Sequence, residues 1–139
     1  MRNVILIMYL FILTACSTLS STRSDRDYAG LLIGTWGYNY PEESGVITSG
    51  EKTYNADGTS NGFIVYKERT SAGDVEEVER VFYTSKWKIQ NSIVVITDVV
   101  YSDLTPVSTL RDKIIFIGAK NAVFQDLSDG STFERIRIK

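Results

Sequence analysis

Ser85-Lys86-Trp87-Lys88 satisfies Ser-x-x-Lys, a spacing that on a helix sets a lysine amine beside a serine hydroxyl and activates the serine as a nucleophile. That chemistry also needs Ser-Asp-Asn and Lys-Thr-Gly motifs, and the chain contains neither. Lys86-Trp87-Lys88-Ile89 reads as a strand, on which residues three apart point to opposite faces. Asp57, Thr59, Asn61, Gly62, Ile64 and Glu68 occupy the positions of a twelve-residue calcium loop, with threonine where an acid or amide is usual. Such a loop needs a helix on each side, whereas Ile64-Val65-Tyr66 favours a strand, and seven extended residues carry Glu68 about 23 Å from Asn61. The expected element is a hairpin with Asp57-Gly58 at its tip and no metal site. Glu76, Glu77 and Glu79 with Arg80, and the pair Glu42-Glu43, would supply the carboxylates of a glycoside hydrolase only if two of them met in a cleft. On loops and outward strand faces they form a solvated rim.

The rest of the composition removes chemistries. The 139 residues include no histidine and one cysteine, Cys16. Ser-His-Asp and Cys-His nucleophile systems, an imidazole base, a zinc site of the His or Cys kind and a disulfide framework are therefore all excluded. No residue pattern calls for a cofactor. Hydrophobic residues at 43% and charged residues at 23% are values of a globular domain. Loss of residues 1–15 takes away Arg2 and moves the net charge from −2 to −3, which makes nucleic acid a poor partner.

Met1-Arg2-Asn3 and the apolar residues 4–13 have the charged start and short apolar core of an export signal, too short at about 1.5 Å per residue to span a bilayer. The residues that follow, Leu13-Thr14-Ala15-Cys16, resemble a bacterial lipobox. The resemblance implies cleavage before Cys16, acylation of its thiol and stable membrane anchoring, since each buried methylene contributes about 0.8 kcal/mol. Ser17, rather than aspartate, directly follows the cysteine. By analogy with enterobacterial lipoproteins this implies the outer membrane, with the domain facing the periplasm. Three segments are expected: a signal peptide at 1–15, the lipidated cysteine and a flexible tether at 16–27, and one folded domain at 28–139. The tether is expected because Ser, Thr, Arg and Asp dominate it and bury little apolar surface.

The domain must be built from strands. Residues 27–33 give one helical turn; Trp36, Tyr38 and Tyr40 then alternate and stop at Pro41, which cannot donate to a ladder. Further strands are expected at 46–54, 62–68, 78–83, 86–89, 92–100, 110–117, 122–125 and 132–138, separated by Gly-, Asn-, Asp- and Pro-containing turns. Short, evenly spaced strands without helical periodicity indicate an all-β antiparallel barrel or sandwich. A closed barrel also removes exposed sheet edges.

Gly34-Thr35-Trp36 near the start, Tyr54-Asn55-Ala56-Asp57-Gly58-Thr59 on the first hairpin, Trp87-Lys88-Ile89 in mid-chain and Phe133-Glu134-Arg135 near the end together resemble the lipocalin-like bacterial lipoproteins, over about residues 31–139. The resemblance implies a small calycin-type barrel of about eight strands. It also implies that Trp36 closes one barrel end with Arg135 stacked over it, a cation on an indole face contributing about 0.5–2 kcal/mol. Phe133, Arg135 and Arg137 share one face of the last strand, and Ile136 and Ile138 the other. An aliphatic inner face would send Arg135 to solvent, and the pairing would then need a bulge.

A barrel of this size is either filled by side chains or open to one small ligand. With so many large residues in a short chain, the filled case is favoured. If a cavity exists, the mid-strand residues Trp36, Tyr38, Tyr54, Trp87 and Phe116 are expected around it. Two functions follow as expectations. One is a carrier or sensor of a small apolar molecule or lipid. The other is a protein-binding envelope module acting through loops 41–45, 69–74 and 102–108. A carboxylate-based hydrolase ranks third, and the expected class is non-enzymatic.

Overall fold

The computed structural model describes residues 23–139, so the signal segment and the lipidation site Cys16 lie outside the described residues. One helix, α1 (Asp25–Leu32), precedes eight strands: β1 (Gly34–Asn39), β2 (Val46–Tyr54), β3 (Thr59–Arg69), β4 (Val75–Gln90), β5 (Ile93–Tyr101), β6 (Leu110–Ile117), β7 (Asn121–Asp126) and β8 (Thr132–Arg137). Each strand pairs antiparallel with the next, and β8 pairs back onto β1 to close the barrel. The fold is the all-β, lipocalin-like eight-strand barrel that the resemblance implies, and it decides between the barrel and the sandwich that strand spacing left open. Closure gives every strand a partner on both sides over part of its length, while residues 75–82 of β4 pair with β3 alone.

Turn chemistry sets the register. Ser44 (φ 52°) and Gly45 (φ 81°) form a two-residue loop closed by reciprocal hydrogen bonds between Glu43 and Val46. Asp57 accepts from the Thr59 amide at 2.9 Å and the Thr59 hydroxyl at 2.6 Å, which makes the calcium-like stretch a turn. Asn91 and Ser92 both adopt positive φ at the β4–β5 turn, where neither is glycine. The Asp25 carboxylate accepts both of their amides at 2.8 Å and offsets the strain.

Those last contacts correct the expected tether. Residues 23–27 belong to the folded unit: Ser24 and Asp27 form a reciprocal capping box, and Arg23 donates to the Ile117 carbonyl at 2.6 Å. α1 is accordingly two turns long, starting at Asp25. Composition concealed this because the segment is ordered by polar contacts with distant backbone rather than by apolar burial.

β4 is a second correction. Strands expected at 78–83 and 86–89 are one sixteen-residue strand, because Thr84-Ser85 offers no turn residue and Ser85 pairs with buried Ser60 through hydroxyls 2.6 Å apart. Lys88 of the Ser-x-x-Lys sequence is exposed while Ser85 is buried, as opposite strand faces require.

α1 lies across the end of the barrel where β1 begins and β8 finishes. Leu32, Trp36, Tyr54, Trp87, Val94, Ile117 and Phe124 pack there as the core. The Trp36 indole donates to the Leu32 carbonyl at 2.7 Å, and the Trp87 indole donates to the Asn55 and Thr59 carbonyls at 3.1 and 2.9 Å. Both buried N–H groups are thereby satisfied. The described residues thus contain one core and no unpaired strand, the physical condition for folding as an independent unit.

Candidate functional site

The end opposite α1 is different. There the walls of β1, β2, β3, β4, β5, β6 and β8 enclose a cavity of about 200 Å³. Tyr38, Tyr66, Tyr83 and Tyr101 line it together with Ile96 and three charged groups, Lys52, Asp112 and Arg135. The barrel is therefore filled at one end and hollow at the other.

Glycines make room for the tyrosines. Tyr38 stands directly across the ladder from Gly50, and Tyr83 directly across from Gly62. A Cβ on Gly50 would lie 2.5 Å from the Tyr38 hydroxyl oxygen, and one on Gly62 would lie 2.6 Å from that of Tyr83. Each phenol crosses a neighbouring strand where only glycine leaves space, a pairing that also covers the bare backbone. The hydroxyls donate to the Phe63 carbonyl at 3.2 Å and the Glu51 carbonyl at 3.4 Å. Burial pushes Tyr38 up to about 12 and raises Tyr83 further, so both remain protonated donors.

The charged groups sit beneath this wall. Arg135 is 7% exposed and donates from Nη1 to the Tyr54 hydroxyl at 2.8 Å, while its Nε has no hydrogen-bond partner. Its guanidinium lies 5.2–5.8 Å from the ring centroids of Phe133, Phe124, Tyr38 and Tyr54. Lys52 is 4% exposed, with Nζ 5.1 Å from the Tyr54 ring centroid and 5.5 Å from that of Tyr83. Burial, followed by the nearby Arg135 charge, pulls Lys52 down to about 7. Burial raises Asp112. None of the three forms an ion pair: the salt bridges among the described residues are Arg69–Glu42, Arg80–Glu77 and Lys86–Asp98, all at exposed positions. Aromatic faces and one hydroxyl thus hold two buried cations.

Of the five residues expected around a cavity, only Tyr38 lines this one. Trp36, Tyr54 and Trp87 are buried in the core below it. Phe116 is half exposed on the outside, because a bulge between Ile114 and Phe116 reverses the alternation of β6 and turns Ile117 inward instead. The closing pair is also corrected. Trp36 pairs directly across from Arg137, whose guanidinium lies 4.3 Å from the indole centroid, and Arg135 is two residues further into the barrel. The inner face of β8 is the aromatic and cationic one; Ile136 and Ile138 are about half exposed.

Lys52 and Arg135 are the site residues that the sequence concealed in their roles. Lys52 lies in phase with Gly50 and Tyr54 on β2, and that parity was the available signal. The acidic cluster takes no part: Glu76, Glu77 and Glu79 lie on the exposed start of β4, and Glu77 is held by Arg80 at 2.9–3.0 Å. No family model matches the chain, and no curated protein matches it.

Proposed function

We propose that this chain is a lipid-anchored envelope protein, held at the outer membrane through Cys16, whose barrel mouth binds a small ligand. The observation that carries the binding reading is the tyrosine-lined cavity inside a closed barrel, with polar groups converging on its deep side. The anchoring rests on the apolar leader and on Leu13-Thr14-Ala15-Cys16. At about 200 Å³ the cavity falls below the roughly 300–1,000 Å³ of ordinary ligand pockets, which favours a compact ligand over a whole long-chain lipid. The reading is of a binding module, not an enzyme.

Native mass spectrometry of the soluble protein beginning at Ser17, before and after organic extraction, tests the cavity. A reproducible adduct that extraction removes supports it; a bare mass under both conditions, unchanged by added small ligands, refutes it. Labelled fatty-acid incorporation into the full chain and its Cys16→Ser variant tests the anchor, which requires that only the former carry label and fractionate with outer membrane.

A second reading places an envelope protein at the same end. The loops at 41–45, 69–74 and 102–108 all lie at the mouth end of the strands, and Val75 and Val78 at the start of β4 and Leu104 in the β5–β6 loop are exposed, Leu104 at 82%. Crosslinking that recovers one partner, lost on substituting Leu104 and Val78 together, distinguishes this reading.

A further inference from the structure

We infer that the ligand of the cavity is a compact organic monoanion, its carboxylate received by Lys52 and Arg135 and its flat apolar body lying among the tyrosines. The inference rests on the proposed reading of the cavity as a ligand site. Its basis is charge and geometry together. Two cationic side chains more than nine-tenths buried reach one small cavity, and neither has a carboxylate within ion-pair distance. Arg135 uses one nitrogen on Tyr54 and keeps a buried Nε without a partner. A buried unpaired cation is costly, and a charge-assisted hydrogen bond to an entering anion relieves that cost where a neutral ligand does not.

The number of charges follows from the lining. With Lys52 protonated, it and Arg135 together outweigh an ionised Asp112 by one positive charge, which a single negative charge neutralises. A dianion would overcompensate and meet the Asp112 carboxylate. The cavity's size and its phenol walls admit a small aromatic or short aliphatic acid, the ring edges and hydroxyls of Tyr38, Tyr66 and Tyr101 lying around its body. Tyr38 and Tyr83 remain neutral through the physiological range, so no tyrosinate repels the anion.

Benzoate, benzamide and benzamidinium have nearly one shape and charges of minus one, zero and plus one. Titrating each at pH 6.5 into the soluble protein beginning at Ser17, carrying ring-labelled tyrosine, reads binding from shifts at Tyr38, Tyr66 and Tyr101 against Tyr28 on α1 as control. Benzoate is expected to bind at least about tenfold more tightly than benzamide, the usual effect of one charge-assisted hydrogen bond, and benzamidinium not to bind. Lys52→Met should remove most of that preference, and Lys52→Arg should restore it. Equal affinity for benzoate and benzamide overturns the anion inference and leaves the cavity reading standing. Absence of shifts with all three probes, together with a bare native mass, overturns both.

Discussion

Arg135 and Tyr54, 81 residues apart in sequence, meet inside the barrel through a 2.8 Å hydrogen bond from the guanidinium Nη1 to the phenol oxygen. Tyr54 packs edge-on against Trp87 in the core, with ring centroids 5.4 Å apart, and so joins the filled end of the barrel to the charged floor of its cavity. A cation is held at this depth by a group that the core itself holds still. Tyr54→Phe keeps the ring and removes the acceptor. The expected loss is about 1.5–3 kcal/mol of unfolding free energy, the range for a hydrogen bond to a charged group. Urea unfolding at neutral pH measures it, and a change below about 0.5 kcal/mol would show that the bond contributes little.

Lys52 gives the protein a pH dependence of definite sign. Its folded-state value of about 7 lies below the ordinary 10.5, so between these values the unfolded chain binds the extra proton and stability rises with pH. The groups facing it are Arg135, which adds to the depression, Asp112, which opposes it, and the phenols of Tyr54 and Tyr83. Above about pH 10 the slope reverses, because Tyr38 and Tyr54, pushed up to about 12, resist the ionisation that their unfolded counterparts undergo. Lys52→Met should flatten the rise above pH 7 and stabilise the protein by about 1–4 kcal/mol near neutrality. Unfolding midpoints of both proteins from pH 6.5 to 9.5 check this; parallel curves would refute it.

Gly50 is required by shape rather than by backbone angle. An added methyl would lie 2.5 Å from the Tyr38 hydroxyl oxygen and closer still to the Phe63 carbonyl oxygen. One of the two contacts is backbone, so the strand must move. Gly50→Ala is expected to lower stability by about 1–3 kcal/mol, as overpacking does, and to shift the Tyr38 ring resonances. Wild-type stability with unmoved Tyr38 resonances would contradict the crossing of β2 by that phenol.

Much of the barrel was legible in the chain. Alternation, together with Gly, Asn, Asp and Pro at the turns, located β2 and β6 at their observed bounds, and the even spacing indicated an antiparallel barrel or sandwich. Two strand-level errors had local causes. Ser85 is polar yet buried against Ser60, so the middle of β4 resembled a break; a single bulge in β6 inverted Phe116 and Ile117.

The site was far less legible. Alternation separates a strand into two faces without saying which is inner when both carry large side chains. β8 is the clear case: Phe133 and Arg135 against Ile136 and Ile138. Hydrophobicity alone favours the isoleucines inside. The structure puts them outside, because Trp36 opposite Arg137 and Ala122 opposite Arg135 set a register that turns Arg135 toward Tyr54. By itself the sequence determined the strands, the turns, the absence of imidazole and thiolate chemistry in the domain, and the resemblance of its first sixteen residues to an export and lipidation signal. Only the tertiary structure decided that Lys52 and Arg135 share one small cavity. Their approach depends on pairings between residues far apart in the chain, and no local pattern records the register in which a barrel closes.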